Sequence, residues 1–318
     1  MTKFVSRRGV LGVALEASRG TAVSPTYWMP WAKLSFADKI ASAAEEQGMG
    51  NIADQDSFYV TMQMGEGELD AQIYDSGLGY ILSSLLGAVP VTSGAGPYTH
   101  TFTLSQSNQA KTLSLYWKDP NTSYMFPMAV VESLKMSVAP NGLVEYTVHF
   151  KSKKARDWSS ENQDFTSTGN KFLHQHASIK LASNIAGLSG ATAPSLKSLE
   201  MTINRSVMFD EVIGTSEPED ILSQPIGIEG SFGLNYEDTT YHDYMMNNTY
   251  RAMQVQFLRS TSSSLTIQMP RVSFMEWEQD RTLNEISKQK VNFKANYDAA
   301  NALDIISSCV LVNGKTSY

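Results

Sequence analysis

The chain has 318 residues, of which 42% are apolar and 18% are charged, so it can bury an ordinary core and is not a disordered chain. Its net charge of −7 argues against a protein that binds nucleic acid generally by neutralising phosphates. The single cysteine, Cys309, excludes an intrachain disulfide framework, and no apolar run approaches the roughly 20 residues that span a bilayer.

The first apolar segment, "GVLGVAL", follows two arginines, as in an export signal. It is short, and Glu16 ends it where a signal peptide needs a small-residue cleavage site. We therefore interpret residues 10–17 as a strand that ends in a turn at Gly20-Thr21.

Short alternating stretches separated by turn residues dominate the remaining sequence and predict an all-β fold. In chain order, the predicted strands are residues 59–74, 98–104, 112–118, 126–138, 143–153, 177–183, 196–204, 225–237, 250–258, 264–278 and 285–296. Asn141-Gly142, preceded by proline, is a hairpin turn signal. Only residues 79–87 and 239–248 favour helices, and both are short.

Two segments lack a strand pattern. Residues 37–57, "ADKIASAAEEQGMGNIADQDS", are polar and contain glycine, which predicts a long loop. Residues 156–171 have low hydrophobicity and predict a linker that divides the chain into halves of similar length.

The two halves repeat each other. "GEGELDAQIYDSGLGYIL" aligns with "IEGSFGLNYEDTTYHDYM", with Gly67 on Gly230 at an offset of 163 residues. Farther along, Met128 aligns with Met269 at an offset of 141, and Phe150 aligns with Phe293 at an offset of 143. The change of offset predicts two additional residues in the second hairpin loop, where length changes are tolerated.

We interpret this pattern as an internal duplication that gives two tandem, similar β-sandwich or barrel-like domains, each with one short flanking helix. The predicted boundaries are an N-terminal arm and first strand (1–34), a first domain (35–155), the linker (156–171), a second domain (172–300) and a C-terminal arm (301–318).

In both copies, the strand that contains the glycine has one apolar and one polar face, because side chains alternate across a sheet. Leu69 and Phe232 belong to the apolar faces. The polar faces comprise Glu66, Glu68, Asp70, Gln72, Glu229, Ser231 and Asn235. No basic residue lies within these two polar sets, and a sheet with one polar face suits an open sandwich or a water-filled barrel wall.

The sequence contains no recognisable catalytic, cofactor-binding or metal site. His174 and His176 lie two residues apart on a predicted strand, but no third ligand is near in sequence, so we interpret them as solvated. No phosphate-binding loop, serine hydrolase motif or zinc-protease motif occurs. The sequence therefore favours a structural or binding protein and not an enzyme.

The segment "VLGVALEASRGTAVSPTYWMPW", followed by "GEGELDAQIYDSGLGYILSSLLG", "GPYTHTFTL", "TLSLYWK" and "MAVVESLKMSVAPNGLVEYTVHFKSK", resembles the tail tube proteins of bacteriophages with long, non-contractile tails. The shared N-terminal pattern is a short strand, Glu16, Gly20-Thr21 and Pro25. The resemblance covers nearly all of the first half and, through the duplication, much of the second.

The resemblance implies a virion protein, assembled in the host cytoplasm, whose sheets join those of neighbouring subunits into an inner β-barrel around a lumen. Rings stack into a tube through which double-stranded DNA passes without specific binding. Since most rings of the family contain six domains, a duplicated chain implies a trimeric, pseudo-sixfold ring. The implied partners are other copies of the chain, the tape measure protein, the tail tip and the terminator, with no membrane partner and no cofactor.

Two sets of residues follow as candidate sites under this resemblance. The polar residues of the glycine-containing strands, with their carboxylates, are expected to line the lumen, where they would repel DNA. The predicted loop is expected to reach a neighbouring subunit or the next ring, and its candidate residues are Ala37, Asp38, Glu45, Glu46, Asp54 and Asp56.

Two alternatives stay open on the sequence. One is a β-sandwich binding module, such as a baseplate, host-recognition or carbohydrate-binding protein, in which aromatic residues such as Trp117 and Tyr124 contact the ligand. The other is a tail hub or terminator that forms a single ring.

Overall fold

The computed structural model describes residues 3–47, 50, 52, 54–55 and 57–318. The strands of the first half are β1 (Val10–Leu15), β2 (Tyr27–Met29), β3 (Lys33–Leu34), β4 (Ala37–Glu45), β5 (Ser57–Gln72), β6 (Val91–Ser93), β7 (Tyr98–Phe102), β8 (Leu113–Lys118), β9 (Ser123–Val138), β10 (Glu145–Lys153) and β11 (Arg156–Asp157). Those of the second half are β12 (Ala177–Ala182), β13 (Leu196–Asn204), β14 (Val207–Asp210), β15 (Asp220–Ser223), β16 (Gly227–Asn235), β17 (Arg251–Ser260), β18 (Ser263–Asp280), β19 (Lys288–Asn296) and β20 (Ser308–Asn313).

The described residues contain two α-helices, α1 (Asp75–Leu86) and α2 (Thr240–Met246), so the predictions of an all-β fold and of two short helices are confirmed. Helix α1 begins four residues before its predicted start, and the Asp75 carboxylate in its first turn is favourable at the positive end of the helix dipole. Every residue of α1 is buried, which is consistent with the absence of a charged residue after Asp75.

The two halves have the same strand pairing. In the first half, antiparallel neighbours follow the order β1, β8, β9, β10 and β5, and β5 then pairs with β3 and β4. In the second half, the order is β12, β17, β18, β19, β16 and β13. Each half therefore repeats one topology, with its α-helix following the glycine-containing strand.

The correspondence extends to the register. Gly67 lies opposite Phe150, and Gly230 lies opposite Phe293. Next to each phenylalanine, the long partner strand has a β-bulge, where Glu132 in β9 and Met275 in β18 are the additional residues.

The alignment of Met128 with Met269 is wrong by two residues. The equivalent of Met269 is Phe126, because Met269 lies opposite Met253 in β17 just as Phe126 lies opposite Leu115 in β8. The offset between β9 and β18 is therefore already 143 residues in this part of the two strands. The second hairpin loop therefore contains no additional residues.

The repeated glycine has a steric cause. Gly67 has φ 157°, and an added Cβ would lie 2.5 Å from the Phe36 Cα. An added Cβ at Gly230 would overlap the Glu200 carbonyl oxygen. At both positions the backbone of a neighbouring segment approaches too closely for any side chain.

The prediction of a loop over residues 37–57 is wrong for residues 37–45. These residues form β4, which pairs with the first part of β5 in a long hairpin. Nearly all of β4 is exposed on both faces, so no apolar alternation marks it as a strand in the sequence.

The prediction that His174 and His176 lie on a strand is wrong, since they lie in a 3₁₀ turn. The C-terminal segment, expected as an arm, places β20 between β18 and β7 of its own chain. In the predicted linker, β11 pairs with β9, so this segment lies against the first half. The domain boundaries themselves remain predictions.

Candidate functional site

One sheet crosses both halves of the molecule. Its strands pair in the order β5, β10, β9, β13, β16, β19 and β18, all antiparallel. The contact between β9 and β13 joins the halves, with Lys135 opposite Thr202 and Ser137 opposite Glu200. The two glycine-containing strands therefore belong to one continuous surface.

All seven predicted polar residues lie on the same face of this sheet, because residues opposite each other in register share a face. Asp70 and Glu229 lie in one cross-strand row, through Thr147, Lys135 and Thr202. Gln72 and Ser231 lie in the next row, through residues 145, 137 and 200. Glu66 and Glu68 lie on this same face of β5, and Asn235 lies on this same face of β16, because each is an even number of positions from the residues above.

The opposite face of the sheet is apolar and packs into the main core. Leu69 and Phe232 are fully buried there, as are Val148 and Leu134 on the strands between them. The alternation predicted from the sequence therefore separates a core face from a water-facing surface, which we call the polar face.

The two predicted polar sets contain no basic residue, but neighbouring strands bring basic residues onto the same face. The Lys33 ammonium lies 2.6 Å from Glu68 and 3.5 Å from Asp70. The hydrogen bond with Glu68, together with the charges of both carboxylates, raises the pKa of Lys33 above its ordinary value. Lys33 comes from β3, 35 positions before its first partner, and only the folded register brings them together.

Other strands add further charges of both signs. The Lys135 ammonium lies 3.0 Å from Glu200 across the junction of the two halves. The other lysines of the polar face are Lys151, Lys153, Lys288, Lys290 and Lys294 in the seven strands, with Lys39 in β4 beside them. The other carboxylates are Glu66, Glu145, Glu229, Glu276, Glu278 and Asp280. Carboxylates therefore outnumber lysines, but most lie next to a cation.

A second candidate surface is the hairpin formed by β4 and the first part of β5, which we call the β4–β5 hairpin. It presents large apolar side chains to solvent. The most exposed are Ile40 (56%), Phe58 (60%) and Tyr59 (61%). Exposed apolar residues on a long edge hairpin are typical of a surface that another protein covers.

The predicted loop residues are distributed along this hairpin. Ala37 and Asp38 begin β4, and the Asp38 carboxylate accepts a 2.7 Å hydrogen bond from the Ala155 backbone N–H. Glu45 ends β4 and accepts hydrogen bonds from Ser57 and Tyr59 across the hairpin, at 2.7 and 3.0 Å.

The remaining loop residues are farther along. Glu46 follows β4 directly, and Asp54 lies in the connection to β5; both are exposed. Asp56 lies outside the residues that the structure describes.

Glu16, part of the N-terminal pattern, is a buried structural residue. One carboxylate oxygen accepts hydrogen bonds from the Gly20 N–H (2.7 Å) and the Thr112 hydroxyl (2.6 Å). The other accepts from the Met128 N–H (2.8 Å) and the Ser114 hydroxyl (3.0 Å). Four donors from three segments therefore converge on this carboxylate and hold the first strand against β8 and β9.

The histidines have structural environments. His100 is buried, and its Nδ1 lies 2.9 Å from the Thr92 hydroxyl. Its Nε2 lies 3.1 Å from the Asn313 side-chain oxygen and 2.9 Å from the Lys315 carbonyl, so Nε2 carries the proton. Burial lowers the pKa of His100. Elsewhere, His174 is exposed, and Nδ1 of His176 accepts a hydrogen bond from the Leu173 N–H.

The described part of the chain contains no cluster of three or more histidine, cysteine or acidic residues arranged to hold a metal ion. None of its helices has the length and apolar character needed to cross a membrane.

The two aromatic residues considered for a binding module are packed and not freely exposed. Trp117 lies opposite Tyr124 in register and makes an edge contact with Trp31 at 5.4 Å between ring centroids. Both are half-buried against the main core.

An antiparallel sheet with one charged face, together with an exposed hairpin, is typical of a β-rich structural protein whose surfaces suit assembly. The family described as phage tail tube protein matches residues 6–297, and the chain belongs to that family. It is thus a structural protein of the phage tail, located in the virion, whose family membership implies self-assembly and contact with other tail components. A search of curated proteins found no match.

Proposed function

We propose that this chain polymerises into stacked rings that form the hollow tube of a long, non-contractile phage tail, and that DNA passes through the lumen. The observation that carries this proposal is the continuous seven-stranded sheet, which is polar on one face and buried on the other. Subunits that joined such sheets edge to edge would build a closed wall around water.

The polar face is the surface best suited to line the lumen. DNA must slide past it, and free lysines would bind phosphates and slow the movement. Here Lys33 and Lys135 lie within 3.0 Å of carboxylates, which compete with phosphate for them. The excess of carboxylates adds repulsion, so the wall retains a layer of water.

The ring contains three subunits with pseudo-sixfold symmetry. Each chain provides two copies of the same strand order and register, and we attribute the likeness to an internal duplication. Three chains then provide six equivalent half-sheets, which matches the six domains of most rings of this family.

The β4–β5 hairpin contacts a neighbouring subunit or the next ring. Its exposed Ile40, Phe58 and Tyr59 would be covered there, which removes the aggregation hazard of an open apolar hairpin. Assembly takes place in the host cytoplasm, and the completed tube contacts the tape measure protein, the tail tip and the terminator.

The first test is negative-stain electron microscopy of the purified chain at high concentration, with rotational averaging of end-on views. Hollow rings or tubes with three subunits and six density lobes are expected. Six whole subunits per ring would refute the trimer but retain the tube. Single rings that never stack would indicate a hub or terminator, and dispersed monomers that stay unchanged after addition of tail-tip complex would refute the proposed function.

A further inference from the structure

The two halves are joined by strand pairing between β13 and β9, and the same kind of pairing is possible at a second place. At the junction of the two halves, Ser137 lies opposite Glu200, Lys135 opposite Thr202 and Ser133 opposite Asn204. This pairing occupies the edge of β9 that faces away from β10.

Each side of this junction has an equivalent in the other half. Residues 133–138 of β9 correspond to residues 276–281, because both stretches pair with the following strand in the same register. Residues 198–204 of β13 correspond to residues 33–39, since Ser198 lies opposite Gly233 as Lys33 lies opposite Asp70.

Among the described residues of one chain, these equivalent edges have no strand partner. Residues 276–280 of β18 pair with β19 along one edge, and among the described residues no strand occupies the other edge. Residues 33–39 pair only with β5, again within the described part of the chain. The two open edges lie at opposite ends of the strand order of the sheet.

We propose that residues 34–39 of one subunit pair, antiparallel, with residues 276–281 of the next subunit. Transfer of the internal register places Ser35 opposite Asp280, Ala37 opposite Glu278 and Lys39 opposite Glu276. The partner is a second copy of this chain, and the proposal rests on the proposed function as a ring-forming tube protein. It adds the two edges that meet and their register.

The chemistry of the two edges fits this register. Lys39 and Glu276 are opposite charges at directly opposite positions, and both are exposed in the isolated chain. In the internal junction, the Arg205 N–H donates to the Glu132 carbonyl at 2.8 Å. At the proposed contact, Ile40 takes the position of Arg205 and Met275 takes the position of Glu132. The side chains of Ile40 and Met275 are 56% and 62% exposed, and the new pairing would cover both.

The same geometry explains ring closure. The internal junction and the proposed junction use equivalent strands in the same register, so each sheet relates to the next by a similar rotation. The contact is head-to-tail, which closes into a ring when the rotation divides a full turn. Three internal and three intermolecular junctions then alternate around the ring.

Disulfide trapping tests the register. We would mix chains carrying Ala37→Cys with chains carrying Glu278→Cys, under oxidation, and measure covalent dimers on a non-reducing gel. Both positions are exposed, so the substitutions should not disturb folding. The native Cys309 is buried and its pKa is raised to about 12, so it should not react. The Ala37→Cys/Glu278→Cys mixture should give dimers, and the double variant should give covalent trimers.

The matched controls mix Ala37→Cys with Glu276→Cys or with Asp280→Cys, which are shifted by two residues on the same face. Disulfides need Cβ atoms about 4 Å apart, and a two-residue shift in register exceeds this distance. Rings with a cross-link only in a shifted pair, or with none, would overturn the register and leave the proposed function intact. Absence of rings by microscopy would overturn both.

Discussion

The buried carboxylate of Glu16 provides a sharp test of how the first half is held together. Replacing it in Glu16→Ala removes the acceptor of four hydrogen bonds. The two hydroxyl donors can rotate towards other acceptors, but the N–H groups of Gly20 and Met128 cannot. A buried donor left unpaired costs about 1–3 kcal/mol, so two of them should lower the free energy of unfolding by about 4 kcal/mol.

Met128 adds to this cost. It has φ 55°, in the left-handed region that disfavours a residue with a side chain, and its N–H donates to Glu16. Without the carboxylate, this backbone conformation loses the hydrogen bond that holds it. The Glu16→Gln variant keeps one oxygen acceptor and should lose about half as much, ~2 kcal/mol.

The assay is urea unfolding of the dispersed chain, followed by circular dichroism. With a slope of ~3 kcal/mol per molar urea, the midpoint of Glu16→Ala should fall by about 1.3 M. The matched control is Glu211→Ala, which removes an exposed glutamate and should leave the midpoint unchanged. If Glu16→Ala loses less than ~1 kcal/mol, as a surface substitution does, the carboxylate does not hold the three segments together.

Three other outcomes follow from the structure. Gly230→Ala should destabilise the fold by ~3 kcal/mol, measured by urea unfolding, because its methyl group would overlap the Glu200 carbonyl; an unchanged midpoint would contradict the steric explanation. Burial lowers the pKa of His100, so below the unfolded value of 6.5 the unfolded chain binds a proton that the folded chain does not, and stability is lost as pH falls. His100→Gln should therefore reduce the fall in melting temperature between pH 7.5 and 5.5, and an equal fall would refute the assignment. Phage carrying Glu66→Lys and Glu229→Lys should form normal tubes but eject DNA several-fold more slowly in a dye-fluorescence assay, whereas ejection at the rate of the matching glutamine variants would show that these residues do not face DNA.

The sequence predicted the strands that bury one face. Leu69 and Phe232 alternate with polar neighbours, and burial of one face produces this alternation. β4 escaped prediction because it buries neither face, so no burial pattern accompanies its backbone pairing with β5. Exposed strands with small side chains leave no periodic trace in a sequence.

The repeat was detectable, but its register in the long strands was assigned through the wrong residues. Pro127 and Pro270 share the offset of 143 residues with Phe150 and Phe293, and they lie at equivalent bulges of β9 and β18. A proline lacks the N–H that a sheet ladder requires, so it fixes the position of a bulge more strongly than a methionine can. Aligning the prolines would have given a constant offset.

The charges of the polar face could not be read from one strand at a time. Within β5, every charged residue of the polar set is acidic, yet Lys33 lies between Glu68 and Asp70 because the short strand β3 pairs beside them. A cross-strand neighbour can come from any distance along the chain. To predict which charges share one face of a sheet, the order of the strands must be known. The alternation of apolar and polar residues within a strand does not provide that order.

The two junctions of the proposed ring differ in one physical respect. The internal junction is enforced by the chain itself and contains the ion pair of Lys135 with Glu200. At the equivalent position of the other junction, Glu278 replaces the lysine, and the opposing charge comes from Lys39 opposite Glu276. The carboxylates Glu276, Glu278 and Asp280 line one open edge, so two such edges repel each other and only the edge with Lys39 is complementary. This charge pattern would prevent tail-to-tail dimers and direct each subunit to add head-to-tail.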